Sequence, residues 1–409
     1  MNLVIRNYIM QSGERFSLIF DKDDWGCGFP LFYPTYYTTC RLRIGKTHNT
    51  QKDVLRTIKK LYTWAHKENI DLHTIFMTKR FLRPYEIDSL SQYLRTNEKD
   101  GSIISGLKHN NNLTSVADYL CWYASEIITD SNAPEVSGMI DKMNKGIRIR
   151  RVRKAGSEAR KRQRLLAKKL PEKAESTLLA LFHNPLMRLT QTSQMTPRYR
   201  NIVALRILYV TGMRLGELLG LRIQDFVIAS GGEPAYLIVR RYHDDKVDDR
   251  TIQPVAKMLE RQVPIDQGLE KAICEYLKFR AEVPNVGFDD NDFLLVNHLR
   301  GRRQGRAITE SNFRSAFTVL QKKFPTLIGV YPHLLRHDCN YRFSKMATAI
   351  GMTGEEEQKL REYLMGWVEG SPSSNIYLQR YTQEKALAIG LKTANDTAKK
   401  IDNSGETIG

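Results

Sequence analysis

The chain has 409 residues, 41% of them hydrophobic, and 63 Lys/Arg against 45 Asp/Glu give a formal charge of +18. Such apolar content supports folded cores, and the length suits two or three domains. No apolar run reaches the roughly 18 residues of a membrane span, and the first residues lack the basic and apolar blocks of a secretory signal. Five cysteines without a CxxC pair argue against a disulfide framework or a Cys-rich metal site and fit a cytoplasmic setting. The charge points to a polyanion, nucleic acid ahead of a membrane surface.

Residues 1–44, rich in aromatics, Gly and Pro, read as an extended N-terminal arm. A helical domain is expected over 45–141. Thr50 caps its first helix, with Asp53 near the positive end and Val54, Ile58, Leu61 and Ala65 at helical spacing. Pro84 starts a second helix with Ile87, Leu90 and Leu94 on one face. Thr114 caps a third, running through Leu120 and Trp122 to Ile127. A basic linker spans 142–174, and its residues 142–169 hold thirteen Lys/Arg and one acid, Glu158. Arg148, Arg150, Arg151, Arg153, Lys154, Arg160, Lys161 and Arg162 are its candidate phosphate contacts; a solvated helical face is the plainer alternative.

A larger domain is expected over 175–392. Helical patterns cover 197–210, 266–280, 309–323, 333–347 and 354–365. Between 222 and 265 the period changes, so 222–228, 237–239 and 258–265 read as strands, with 242–256 a long polar connection. The fold class is mainly α with a small antiparallel β-sheet. The polar tail, 393–409, is expected to be disordered.

Four short segments of the larger domain could carry chemistry. In Thr211-Gly212-Met213-Arg214-Leu215-Gly216-Glu217, Gly212 allows a sharp turn and Glu217 can hold the Arg214 guanidinium. In His333-Leu334-Leu335-Arg336-His337, the two histidines and Arg336 share a helical face. Leu334 stands where a zinc-protease motif needs Glu, which favours a phosphate site over a metal. Gly366-Trp367 supplies an indole donor, and Tyr377 and Tyr381 follow in Asn375-Ile376-Tyr377-Leu378-Gln379-Arg380-Tyr381. Taken singly, each segment is more simply an ion pair, surface histidines or packing aromatics.

Together and in this order the four segments resemble the tyrosine recombinase (phage-type integrase) family, over about 175–392. The helical 45–141 region is similar to that family's core-binding domain, so the resemblance implies a two-domain clamp around DNA. It implies Arg214 and Arg336 as the two catalytic arginines, His333 as the preceding histidine and His337 as a supporting neighbour. Glu217 would support Arg214. Trp367 would stand where most members have His, as a hydrogen-bond and packing residue. Tyr377 would be the nucleophile in preference to Tyr381. Lys257, ahead of the third strand, would be the catalytic lysine in preference to Lys246.

The implied reaction is transesterification at a DNA phosphodiester through a 3′-phosphotyrosyl link, with no metal, cofactor or ATP. The partners implied are double-stranded DNA and a homo-tetramer on two sites, with a tail docking on a neighbour and accessory recombinases or DNA-bending proteins as possible helpers. A type IB topoisomerase-like enzyme and a catalytically silent DNA-binding protein are the competing readings.

Overall fold

The computed structural model describes residues 1–22, 28–98, 100–152, 168–254 and 259–405, without the side chains at 372, 373, 375–377, 379 and 398–405. The chain forms two compact units, Met1–Gly156 with Asp244–Val247, and Ser157–His243 with Asp248–Gly409. Both are mainly helical, and among the described residues each holds a small antiparallel sheet.

The first unit opens on the hairpin β1 (Leu3–Ile9) and β2 (Arg15–Asp21), paired from Leu3–Asp21 to Ile9–Arg15. Strand alternation turns Arg15, Ser17 and Ile19 of β2 inward. Helix α1 (Phe32–Tyr37) passes through a π-turn (Thr38–Leu42) into α2 (Arg43–Gly45). Residues 1–22 and 28–44 are therefore folded structure, not the extended arm expected from the composition of this region. The reason is burial: Leu3, Ile19, Tyr37 and Leu42 enter the same core as the helices that follow. Each such side chain gains roughly 1.5–3 kcal/mol by leaving water, which an extended arm would forgo.

That core is completed by α3 (His48–Lys67), α4 (Leu72–Met77), α5 (Pro84–Arg95), α6 (Gly106–Ile127) and α7 (Pro134–Ile149). Leu55, Ile58, Leu61 and Ala65 of α3 are buried as their spacing predicts, and α5 starts at Pro84. Two caps differ from expectation. Helix α3 begins after Thr47, and α6 begins after Ser105, whose hydroxyl accepts the Lys108 N–H at 3.3 Å. Thr114 lies inside α6 and donates to the Asn110 carbonyl at 2.8 Å. Asn110, Asn111 and Asn112, just before Thr114, are weak helix formers. In the fold Asn112 is buried, bonded to Thr57 Oγ1 at 3.2 Å and to the Leu94 carbonyl at 3.3 Å, so tertiary partners override a weak helix propensity.

The second unit contains α8 (Glu172–His183), α9 (Met195–Thr211), α10 (Leu215–Gly220), α11 (Gln267–Ala281), α12 (Glu310–Lys323), α13 (Pro332–Ala349), α14 (Gly354–Met365) and α15 (Pro372–Gly405). Its sheet has the order β3 (Phe226–Val227), β4 (Tyr236–Val239), β5 (Arg261–Pro264). Helix α9 buries Ile202, Val203, Ala204, Leu205, Ile207 and Leu208, apolar on every side, and packs on α11 and α13 as the central helix.

The sheet is shorter than the sequence suggests. Residues 223–225 form a 3₁₀ turn because the Arg222 N–H donates to Asp225 Oδ2 at 2.8 Å and the Arg222 guanidinium lies 4.0 Å from the Phe293 ring centroid. Of the third expected strand, 258–265, residues 261–264 are paired and 258 lies outside the described residues. The expected disordered tail is instead helical as far as Gly405, as part of α15.

Candidate active site

Two left-handed glycines shape the site. Helix α9 ends at Gly212, φ +62°, and the reversal sets Arg214 at the N-cap of α10. A Cβ at Gly212 would meet Cys339 Sγ at 2.9 Å, so glycine also lets α13 approach. Helix α14 ends at Gly366, φ +66°, closed by the Trp367 N–H on the Glu362 carbonyl at 2.8 Å.

Arg336 of α13 joins these two turns. Its Nη1 donates to the Gly212 carbonyl at 2.7 Å and its Nη2 to the Met365 carbonyl at 3.1 Å. Its guanidinium lies 5.4 Å from the Trp367 ring centroid, and both residues are buried.

Beside it, Glu217 organises two further arginines. Its carboxylate accepts the Arg214 N–H at 2.9 Å, Arg214 Nη1 at 3.0 Å and Arg261 Nη2 at 2.8 Å. Arg261 also donates from Nε to the Leu364 carbonyl at 2.7 Å. Burial pushes the Glu217 carboxyl up. The Arg261 ion pair, the Arg336 charge and the Arg214 N–H outweigh burial and hold it below its ordinary value. Arg214 remains partly exposed, at 26%, against 1% for Glu217 and Arg261, so one cation of the group faces outward.

His333 and His337 stand edge to face on α13 with ring centroids 4.8 Å apart, and Lys168 Nζ is 3.4 Å from His337 Nε2. Burial lowers the His333 pKa, and the charges of Lys168, Arg336 and Arg214 lower it further. Burial, with the charges of Lys168, His333, Arg336 and Arg380, brings His337 down to about 3. Both imidazoles are thus neutral near neutral pH, and His333 is exposed with a ring nitrogen able to accept a proton.

The fold brings Arg214, Glu217, His333, Arg336, His337 and Trp367 together. Tyr377 lies in α15, and its side chain is not among those described; Lys257 lies outside the described residues. Lys246 belongs to Asp244–Val247 of the first unit. The Tyr381 hydroxyl donates to Thr348 Oγ1 at 2.5 Å, and its ring stands edge-on to Tyr341.

The linker cations divide similarly. Arg148 pairs with Asp118, Arg150 Nε donates to Asp88 at 2.6 Å, and Arg151 donates to Thr114. Arg153, Lys154, Arg160, Lys161 and Arg162 lie outside the described residues. Sequence reading missed Lys168 and Arg261 as members of the site. Lys168 was hidden inside a charge run, and Arg261 looks like any strand residue until its contact with Glu217, 44 positions away, is visible. Among the described residues, no three His, Cys, Asp or Glu side chains group as metal ligands, and no helix is long and apolar enough to cross a membrane.

The profile of the Phage integrase family matches residues 180–383, which contain this whole cluster except Lys168. The chain belongs to this family, the tyrosine recombinases. Among curated relatives, the tyrosine recombinase XerC of Listeria welshimeri is 30% identical over 139 residues, and that of Staphylococcus carnosus 28% over 139 residues. Each match covers 34% of this chain and 38% of the relative, so the chain spans well under half of their length. Among solved structures, the Tn1549 transposon integrase in complex with transposon right end DNA is 18% identical, covering 88% of this chain and 98% of that one, with a TM-score of 0.47. XerH site-specific recombinase bound to difH substrate is 15% identical over 87% and 93%, with a TM-score of 0.39.

Proposed function

We propose that this protein is a site-specific DNA recombinase, an integrase or transposase of a mobile element, that cuts and rejoins DNA through a covalent tyrosyl intermediate. The observation that carries the reading is the convergence of the partly exposed Arg214 and Lys168 and the exposed His333 with the buried Arg336, near enough that all three cations lower the His333 pKa.

In the proposed reaction the Tyr377 phenolic oxygen attacks phosphorus and the 5′-oxygen leaves. The P–O bond to tyrosine replaces the P–O bond to the sugar, so rejoining is the same step in reverse and needs no added energy source. His333, neutral at working pH, takes the phenolic proton. Arg214 meets the non-bridging oxygens from its partly exposed position, where its planar guanidinium can offer two donors. Arg336, buried below, adds a fixed charge in low dielectric, where its field is least screened. A lysine protonates the leaving alkoxide, Lys257 by family position or Lys168 by its place beside the histidines. Tyr377 is preferred to Tyr381 because the Tyr381 hydroxyl is engaged by Thr348. The cytoplasmic, nucleoid-associated setting and the assembly of four protomers on two duplexes belong to this proposal.

A covalent-trap experiment tests it. The full chain is incubated in EDTA with nicked duplexes from the ends of its own genetic element, quenched in SDS, and any DNA-linked peptide is mapped. The expected result is a link at Tyr377 that Tyr377→Phe abolishes without loss of binding. A link at Tyr381 would reassign the nucleophile. Intact binding with no link at a confirmed site would leave a DNA-binding protein without strand transfer.

A further inference from the structure

The second unit carries a cationic cleft that the recombination chemistry does not use. It has a volume of about 730 Å³ and is lined from the segment before α9, the start of α9 and one side of α12. Arg198, Arg200 and Lys323 line it, and among the described residues no Asp or Glu does. Arg198 is 9% exposed. Its Nε donates to the Pro185 carbonyl at 3.3 Å and its guanidinium lies 5.2 Å from the Phe324 ring centroid, while its buried Nη2 has no hydrogen-bond partner among the described residues. Arg200 is 5% exposed and is bonded to neutral oxygens, Asn201 Oδ1 at 2.7 Å and the Val296 carbonyl at 2.8 Å. Burial lowers the pKa of both arginines, the direction expected where desolvation is not offset by a carboxylate.

Two buried guanidiniums without a counter-ion among the described residues are costly, and a bound anion would remove that cost. The lining also supplies neutral donors, the Gln191 and Gln194 amides and the Ser315 hydroxyl. A guanidinium edge with several further donors suits an oxyanion of three or four oxygens better than a carboxylate. The cleft is separate from the Arg214 turn: Arg198 and Gly212 lie at opposite ends of α9, about 20 Å apart at the helical rise.

We propose that this cleft is a second anion site, which binds a phosphate group on Arg198. The phosphate comes from a free phosphate or small phosphate ester, or from a nucleic-acid backbone. The recessed position of Arg198 and the apolar Leu299 and Val319 on the wall favour the compact ligand, because a duplex is gripped by exposed, extended cations.

Titration calorimetry of the full chain with inorganic phosphate tests the site. Arg214→Gln first weakens uptake at the reaction centre. In that background a saturable phosphate site should remain, and Arg198→Gln should weaken it roughly tenfold or more. Ser315→Glu, on the exposed side of α12, keeps Arg198 and introduces a carboxylate into the cleft. It should abolish phosphate uptake in a chain that melts no lower than its parent, which keeps the test valid if Arg198→Gln does not fold. Phosphate binding unchanged by both substitutions overturns the site, as does absence of binding in the Arg214→Gln chain. Added duplex separates the sources: displacement of phosphate from the Arg214→Gln chain assigns the site to a backbone phosphate, and continued binding assigns it to a free phosphate or ester.

Discussion

Arg214, Arg336 and Arg261 are three arginines with three different burdens. Arg214 is partly exposed, Arg336 is locked to two carbonyls, and Arg261 is buried against Glu217. Under the proposed function, Arg214→Ala should slow covalent attachment by roughly 10²–10³, the usual loss when one oxyanion donor is removed, with a smaller loss of stability than removal of the buried Arg261, because the Arg214 end of the pair is partly solvated. Single-turnover trapping beside a thermal melt checks this; equal losses in both would make Arg214 a folding residue. His337 makes a pH prediction. Its folded pKa, about 3, lies below the ordinary 6.5, so the unfolded chain takes up the proton first. Its contribution to stability is therefore complete above pH 6.5 and is lost as pH falls from there toward 3. His337→Gln should flatten the fall in melting temperature between about pH 7 and pH 4. A slope unchanged by the substitution would show that other groups govern the acid limb.

At the scale of elements, the site is a junction of helix ends. The α9–α10 turn, the end of α14 and the strand β5 meet through Arg336 and the Glu217–Arg261 pair. Gly366→Ala should destabilise the chain by at least roughly 1–2 kcal/mol from its left-handed backbone alone. A Cβ there would also meet Arg261 Nη1 at 2.6 Å. A chemical-denaturation curve measures this, and a loss below about 0.5 kcal/mol would mean that the turn relaxes at little cost. Removing one partner of the buried pair should cost more. Arg261→Met is expected to lose roughly 3–5 kcal/mol, because Glu217 is left buried without one of its two guanidinium partners. The double substitution Arg261→Met with Glu217→Leu should lose less than the sum of the singles, and additivity would show that the pair is not coupled.

At the scale of the whole molecule, the two units have separate hydrophobic cores, one running from Leu3 to Ile147 and the other from Leu170 to Leu335. The charge is concentrated along the chain between them, with thirteen Lys/Arg in 142–169. Arg148 and Arg150 already hold Asp118 and Asp88, so each has less of its charge to offer a phosphate than an unpaired cation would. Neutralising Arg153, Lys154, Arg160, Lys161 and Arg162 together should weaken DNA binding and reduce the slope of log affinity against log salt by up to about 4.5, near 0.9 for each phosphate no longer neutralised. Filter binding or fluorescence anisotropy at several salt concentrations gives the slope; an unchanged value would reject phosphate binding by this segment.

Much of the architecture was legible in one dimension because helix periodicity is a local property. The apolar spacing in 197–210, 266–280, 309–323, 333–347 and 354–365 appears as α9, α11, α12, α13 and α14. The ordered motifs around Arg214, His333, Arg336 and Trp367 identified the family, since short motifs survive where overall identity is low. The sequence could not show that residues 1–22 and 28–44 fold, because Leu3 and Ile19 acquire a core only through partners on distant helices. It could not single out Lys168 from its charge run or connect Arg261 to Glu217. Residue type and spacing decided which groups can do the chemistry. Tertiary structure decided which of them meet, because burial, ion pairing and the pKa values that follow depend on neighbours far away in the chain.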